Sequence, residues 1–230
     1  MNQSTHLKQR PASHGAGGSL PDGYRPSMAE AGGYFRVWDS LPNYVAHEKA
    51  LAALFRDGDS PFRANTDLSP VITKASALND FYSTNIYRVY DVACKIVSIH
   101  DFDSRLQQGD LTLVKDFQTI EFAGRNGESK RITNYSFATK YCSHHQPDKF
   151  PIYDSYVDHV LRSLRRIYPE VFKFRNDDLR DYKKYTENLD ILRREFGLES
   201  LTYKELDRYL WQLGKRYFAR YTDAVNGEIN

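Results

Sequence analysis

The residues of this chain most able to do covalent chemistry are gathered in one stretch, 133–157, which reads TNYSFATKYCSHHQPDKFPIYDSYV. Lys140, Cys142, His144, His145 and Asp154 fall within fifteen residues there. Lys140 sits among Phe137, Ala138, Tyr141 and Cys142 in a run with helical pattern. A lysine held in such aromatic surroundings loses solvation, which lowers its pKa and frees the amine as a nucleophile. His144 follows one turn later on the same face. Asp154 directly precedes a helical stripe, at an N-cap position. There its carboxylate accepts backbone N–H bonds and meets the positive end of the helix dipole, both of which keep it ionised. A nucleophilic amine beside a permanent carboxylate is the pair that can break a glycosidic bond through a covalent sugar intermediate: the carboxylate stabilises the cationic sugar, and the amine captures the carbon as a Schiff base.

Other readings of these residues stand beside this one. Cys142, His144, His145 and Asp154 are all metal-ligand types, but no paired Cys-x-x-Cys or His-x-x-x-His spacing supports zinc, and adjacent helical residues point about 100° apart. No metal or cofactor is therefore expected. Asp154 is equally readable as a plain helix cap, and Lys140 as a side chain that snorkels to solvent.

Positioning these groups requires helices, and the apolar pattern supplies them. Helices are expected over 41–56, with Tyr44, Leu51, Leu54 and Phe55 inward, and over 67–82, with Val71, Ala75, Leu78 and Tyr82 on one face. Others are expected over 86–100, on a stripe of Val89, Val92, Ala93, Ile96 and Ile99, and over 111–117, after a break at Gly109 and Asp110. In 118–133, Ile120 and Phe122 alternate with polar residues on one side of a glycine turn, which predicts a hairpin. Helical pattern resumes over 134–145 and, after a loop, over 154–168, where Pro169 stops it. A helix over 178–196 ends at Gly197. Thr202 with Glu205 is a capping box for a last helix burying Leu206, Leu210, Leu213 and Tyr217. Residues 1–33, rich in Gly, Ser, Pro and His, are expected to be a disordered tail, 34–221 one helical domain and 222–230 a frayed end.

The 230 residues, 40% hydrophobic and 27% charged, describe a globular chain. No apolar run reaches the ~20 residues of a membrane span, and the first eighteen residues lack the apolar run of a secretory leader. With two cysteines, Cys94 and Cys142, no disulfide framework is possible, so a cytoplasmic location is expected. The net charge of +2 is unevenly spread: 34–129 holds 10 Lys/Arg against 13 Asp/Glu, and 130–221 holds 19 against 13. A basic half suggests a face for a polyanion, although helical proteins also carry many solvated cations.

Phe-Ala-Thr-Lys140 followed by Phe-Pro-Ile-Tyr-Asp154-Ser-Tyr-Val resembles the lysine helix and Pro-Val-Asp-x-x-Val segment of helix-hairpin-helix DNA glycosylases, the 8-oxoguanine branch in particular. More closely, the chain is similar to bacterial 8-oxoguanine-glycosylase-like proteins. Leu78-Asn-Asp-Phe-Tyr-Ser-Thr-Asn-Ile86, Arg105-Leu-Gln-Gln-Gly-Asp-Leu111 and Tyr209-Leu-Trp-Gln-Leu-Gly-Lys215 carry that looser match over 38–215. The resemblance implies a mainly α, two-lobed helix-hairpin-helix bundle with at most a small β hairpin. It also implies N-glycosylase/lyase action on a modified purine, with Lys140 as nucleophile and Asp154 as electrostatic partner. Some members of the wider group occur in anti-phage operons, which implies a defence role. The implied partner is nucleic acid, DNA in preference to RNA, with no membrane.

The chain departs from that pattern in two places. Where the active enzymes carry a Gly-hydrophobic-Gly hairpin, it reads Lys130-Arg-Ile-Thr-Asn134, and Lys140 and Asp154 are only fourteen residues apart. Lys130 is the reserve nucleophile, and a catalytically inactive nucleic-acid-binding protein of the same fold is the alternative. A purely structural partner-binding protein is a third possibility, with the aromatic surplus serving an interface.

Base extrusion needs aromatic walls, for which Phe81, Tyr82, Tyr87, Tyr141, Phe150 and Trp211 are candidates. Tyr141, His144, His145 and Trp211 are the expected substrate contacts, Trp211 because glycosylases of this type close the base pocket near the end of the last helix. Lys130, Arg131, Arg162, Arg165 and Arg166, with Lys183 and Lys184, are the expected phosphate contacts. Nucleic-acid affinity carried by these cations should fall steeply with salt. Salt-independent binding in a filter or anisotropy titration would remove the electrostatic argument.

Overall fold

The computed structural model describes residues 18–218, and among these it contains ten α-helices, one 3-10 turn and a two-stranded sheet. In chain order the elements are α1 (Met28–Asp39), α2 (Pro42–Phe55), α3 (Leu68–Phe81), α4 (Val89–Val97), α5 (Phe102–Gln108) and α6 (Thr112–Phe117), then β1 (Thr119–Ala123) and β2 (Ser129–Thr133), then α7 (Tyr135–His145) and α8 (Ser155–Ile167), and, after a 3-10 turn (Asn176–Arg180), α9 (Tyr182–Glu195) and α10 (Tyr203–Phe218). The strands pair antiparallel, Thr119 opposite Thr133 and Ala123 opposite Ser129. No described helix is long and apolar enough to cross a membrane.

The helices follow the sequence pattern closely. On α8, Val157, Val160, Leu161 and Leu164 are buried, and Asp154 caps its start by accepting the Val157 N–H at 2.9 Å. The capping box of α10 is formed: Thr202 N–H donates to Glu205, and Glu205 N–H to Thr202 Oγ1. The expected 118–133 hairpin is β1–β2.

Four expectations need correction. The tail was expected to reach residue 33, yet Leu20 is buried with its N–H on Ser163 Oγ, and α1 is capped by Ser27 and packs against α10. Residues 1–17 and 219–230, including the whole of the expected frayed end, lie outside the described residues. The helix expected from 86 begins only at Val89. Ahead of it, Ser83 (φ 46°) and Asn85 (φ 56°) turn left-handed, and the Asn79 carboxamide oxygen accepts Thr84 Oγ1–H and Ile86 N–H. α5 was not expected, because its seven residues show too little of a stripe. The 178–196 helix is split, since Asp181 ends the 3-10 turn and caps α9 through Lys184 N–H.

Two packing features position the centre of the molecule. α7, in contact with α2, α3 and α6, is buried along almost its whole circumference, polar residues included. α8 and α10 lie against each other at Gly214, where a Cβ would stand 2.5 Å from Tyr156 Cβ and 3.1 Å from its backbone. Gly214→Ala should therefore push α10 off the start of α8 and cost about 1–3 kcal/mol of stability, as over-packing does. Urea denaturation measures this, and an unchanged midpoint would show that the contact yields without cost.

Candidate functional site

Lys140 and His144 project from the same face of α7. Lys140 is only 5% exposed. Its ammonium donates to Ser136 Oγ at 2.6 Å and to the Tyr153 carbonyl at 3.4 Å, and lies 5.3 Å from the Tyr82 ring centroid. Ser136 in turn donates to that same carbonyl, so α7 is pinned to the backbone immediately before Asp154. Burial pulls the Lys140 pKa down, while Asp154 and then Asp207 pull it up; burial prevails. His144 is held neutral by burial and by the charges of Lys204, Arg56 and Lys140. Its Nε2 is 3.0 Å from the Tyr82 hydroxyl.

Asp207, on α10, is the member that sequence reasoning missed. Burial raises its carboxyl pKa to about 7, Asp154 and Glu48 adding to the effect against Lys204 and Lys140. Glu48 stays ionised for the opposite reason: burial raises its pKa, but ion pairs to Lys204 (3.0 Å) and Arg208 (2.7 Å) outweigh that. The signal in the sequence was a lone aspartate near the inward stripe of an amphipathic helix, which does not separate a solvated face from a buried acid.

Trp211 stands one turn beyond Asp207, in contact with Trp38 (5.8 Å between centroids), Tyr44 (5.2 Å) and Tyr156 (6.5 Å). Lys215 lies 4.7 Å from the Trp211 ring. This aromatic group sits beside the Asp154–Asp207 pair, since Tyr156 and Trp211 extend from the same stretches of α8 and α10.

The structure separates the other expected contacts. Tyr141 and His145 occupy the neighbouring face of α7 and point away from Lys140. The Tyr141 hydroxyl donates to Asn65 Oδ1 at 2.6 Å, and His145 Nε2 lies 3.3 Å from both Asn65 Nδ2 and Lys74 Nζ. Helical geometry turns i+1 by about 100°, so residues 140/144 and 141/145 serve different centres. Cys142 is buried in the core. Phe150 is core too, stacked with Tyr182, Phe81 stacks on His47, and Tyr87 is 91% exposed.

The expected phosphate contacts are largely engaged within the chain. Arg162 forks onto Asp158 and reaches the Asn176 carbonyl; Arg165 donates to the Phe174 carbonyl and Asn176 Oδ1; Arg166 reaches the Leu20 carbonyl. These arginines tie α8 to the 172–176 connection and the first described residues, with Arg166 still half exposed. Lys184 pairs with Asp178 at 2.7 Å, while Lys183 is exposed. On the hairpin, Lys130 pairs with Glu128 at 2.9 Å and Arg131 lies 3.9 Å from Glu121, both in solvent. Exposure removes the desolvation that a reserve nucleophile at Lys130 would need.

Fold and site together define a mainly helical protein with a buried lysine on α7 that feels two carboxylates, Asp154 before α8 and Asp207 on α10. A family model, HI_0787_N, an N-terminal domain, matches residues 30–149, and the chain belongs to that family. An uncharacterized protein of Haemophilus influenzae (strain Rd) is 42% identical over 156 residues, 68% of this chain and 72% of the relative. No solved structure matches. Lys140 and His144 lie inside the matched segment; Asp154, Asp207 and Trp211 lie beyond it.

The buried acid sets a pH dependence. An unfolded aspartate titrates near ~3.9, and Asp207 in the folded chain near 7. Between those values the folded state holds the extra proton, so this residue's effect is to lower stability as pH rises from about 4 to about 7. Asp207→Asn should therefore melt a few degrees above the parent at pH 8, where each kcal/mol is worth roughly 2–4 °C, and level with it near pH 4.5. A difference independent of pH would exclude Asp207 as the titrating group.

Proposed function

We propose that this protein is a nucleic-acid N-glycosylase/lyase of helix-hairpin-helix type that removes a modified purine through a Schiff base on Lys140. The single observation that carries the reading is the placement of the Lys140 amine. It is desolvated, anchored to the Tyr153 carbonyl and electrostatically coupled to Asp154 at the start of α8. In the proposed reaction the unprotonated amine attacks C1′ of the target nucleotide as the C1′–N bond breaks, and the base departs with the bonding pair. Asp154, at the cap of α8, is the carboxylate that stabilises the positive charge developing on the sugar. Asp207, half-protonated near neutral pH, is the group able to give the departing base its proton. The amine then passes a proton to O4′ as the C1′–O4′ bond opens, which leaves the protonated Schiff base at C1′. Tyr82 covers the amine and is the ring a substrate must displace, and Trp211 with Tyr156 offers the stacking wall for an extruded base.

A second reading is favoured by one observation. The chain buries another lysine, Lys74, entirely within structural hydrogen bonds, so burial of an amine is not by itself a mark of catalysis here. In that reading the protein is a catalytically inactive nucleic-acid-binding member of the same fold.

Borohydride trapping separates the two. On a panel of oligonucleotides bearing modified purines, the parent should form a covalent adduct on at least one substrate. Lys140→Gln should abolish trapping while leaving binding largely intact. Asp154→Asn keeps the helix cap but loses the charge, so it should fold normally and lose at least 100-fold in rate, the scale of one preorganised electrostatic contact. Trapping that survives Lys140→Gln, or binding without trapping on every substrate, rejects the lysine mechanism.

A further inference from the structure

The face of α7 next to that of the proposed reaction centre holds a second polar centre that the lysine mechanism leaves unused. Lys74, from α3, is 0% exposed. Its ammonium donates to the carbonyls of Arg63 (3.2 Å) and Ala64 (3.1 Å) and to Asn65 Oδ1 (2.7 Å). Asn65 uses its backbone and side-chain N–H groups on the two carboxylate oxygens of Asp103. His145 Nε2 faces Lys74 Nζ and Asn65 Nδ2, both donors, so it must accept and the ring proton is on Nδ1.

A cavity of about 340 Å³ opens directly beside this network. Arg56, Arg63, Ser60, Gln107 and His145 line it together with Asp103, over a floor in which Phe55 and Leu106 are buried. The charges do not balance. Asp103 is the only carboxylate in the lining and is already committed to Asn65. Among the described residues Arg63 has no carboxylate within ion-pairing distance, and Arg56 has only Asp57, at 3.8 Å and outside the cavity, besides one N–H given to the His144 carbonyl. Lys74 stands behind, its pKa lowered to about 7 by burial against the pull of Asp103. Two guanidiniums beside a half-charged amine, facing one satisfied carboxylate, leave a concave surface with a surplus of between one and two positive charges near neutral pH. Guanidinium pairs suit phosphate oxygens, to which they donate in a fork. A cavity of about 340 Å³ has room for an organic body beside the phosphate itself.

We infer that this cavity is a binding site for a phosphate monoester, with Arg56 and Arg63 as the anion contacts and Ser60 and Gln107 as neutral hydrogen-bonding groups. The monoester has two possible sources, a free mononucleotide or the 5′-phosphorylated end of a nucleic-acid strand. The site is separate from Lys140 and stands whether or not the glycosylase reading does.

Calorimetric titration of the full chain tests this with four probes: a nucleoside 5′-monophosphate, its uncharged nucleoside, and a short oligonucleotide with and without a 5′-phosphate. Binding of either phosphorylated probe, at least tenfold tighter than its unphosphorylated counterpart, is expected; the better of the two identifies the source. Arg63→Gln, at an exposed position whose unliganded melting temperature should match the parent, should weaken that binding about tenfold or more, the value of one charge-assisted contact. Lys140→Gln should leave it unchanged, which keeps this result independent of borohydride trapping. Equal binding of phosphorylated and unphosphorylated probes, no binding at millimolar concentration, or an Arg63→Gln variant that binds as the parent does would overturn the assignment.

Discussion

Everything distinctive in this molecule depends on the burial of α7. A helix carrying Lys140, Ser143, His144 and His145 would ordinarily turn those residues to solvent, yet here all four are buried. Burying polar groups is tolerable only when each finds a partner, and the partners are what organise the surroundings. Lys140 takes Ser136 and the Tyr153 carbonyl, His144 takes Tyr82, Tyr141 takes Asn65, and His145 takes the Asn65–Lys74 pair. The helix thus acts as a polar axle, and the loops before α3 and before α8 are drawn to it by hydrogen bonds as much as by apolar contact.

The α8–α10 contact is the second determinant, because it decides which carboxylates see the amine. Asp154 is held by its own helix start. Asp207 arrives from a different element, close enough to raise its affinity for a proton, because Gly214 leaves room for Tyr156. Burial first, and then the nearness of Asp154 and Glu48, raise the proton affinity of Asp207.

The two faces of α7 differ in how they relate to the family to which the chain belongs. The Lys74–His145 centre and its cavity lie entirely within residues 30–149, the segment that the family model spans. The Lys140 centre is assembled across its boundary, with Asp154, Asp207 and Trp211 supplied by the C-terminal helices. One helix therefore serves a centre internal to the matched segment and another that needs the rest of the chain.

How much of this was legible beforehand follows from the range of the interactions involved. Local rules determined the helices with strong stripes, the β1–β2 hairpin, the Asp154 cap and the Thr202–Glu205 box, because each is settled by residues within four positions of one another. The approach of Lys140 to the α8 start was also readable, since the connection between His145 and Ser155 is only nine residues long. Tertiary structure alone decided which way each side chain of α7 faces. A helix buried on all sides has no amphipathic stripe to read, so Tyr141 and His145 could not be told from Lys140 and His144 by pattern. It alone decided the ordering of 18–27, which rests on Leu20 meeting Ser163 far along the chain. The engagement of Arg162, Arg165 and Arg166 depends on where the connection after α8 runs, and the raised proton affinity of Asp207 on three helices meeting. Both are electrostatic consequences of distance and desolvation, and neither quantity exists until the chain has folded.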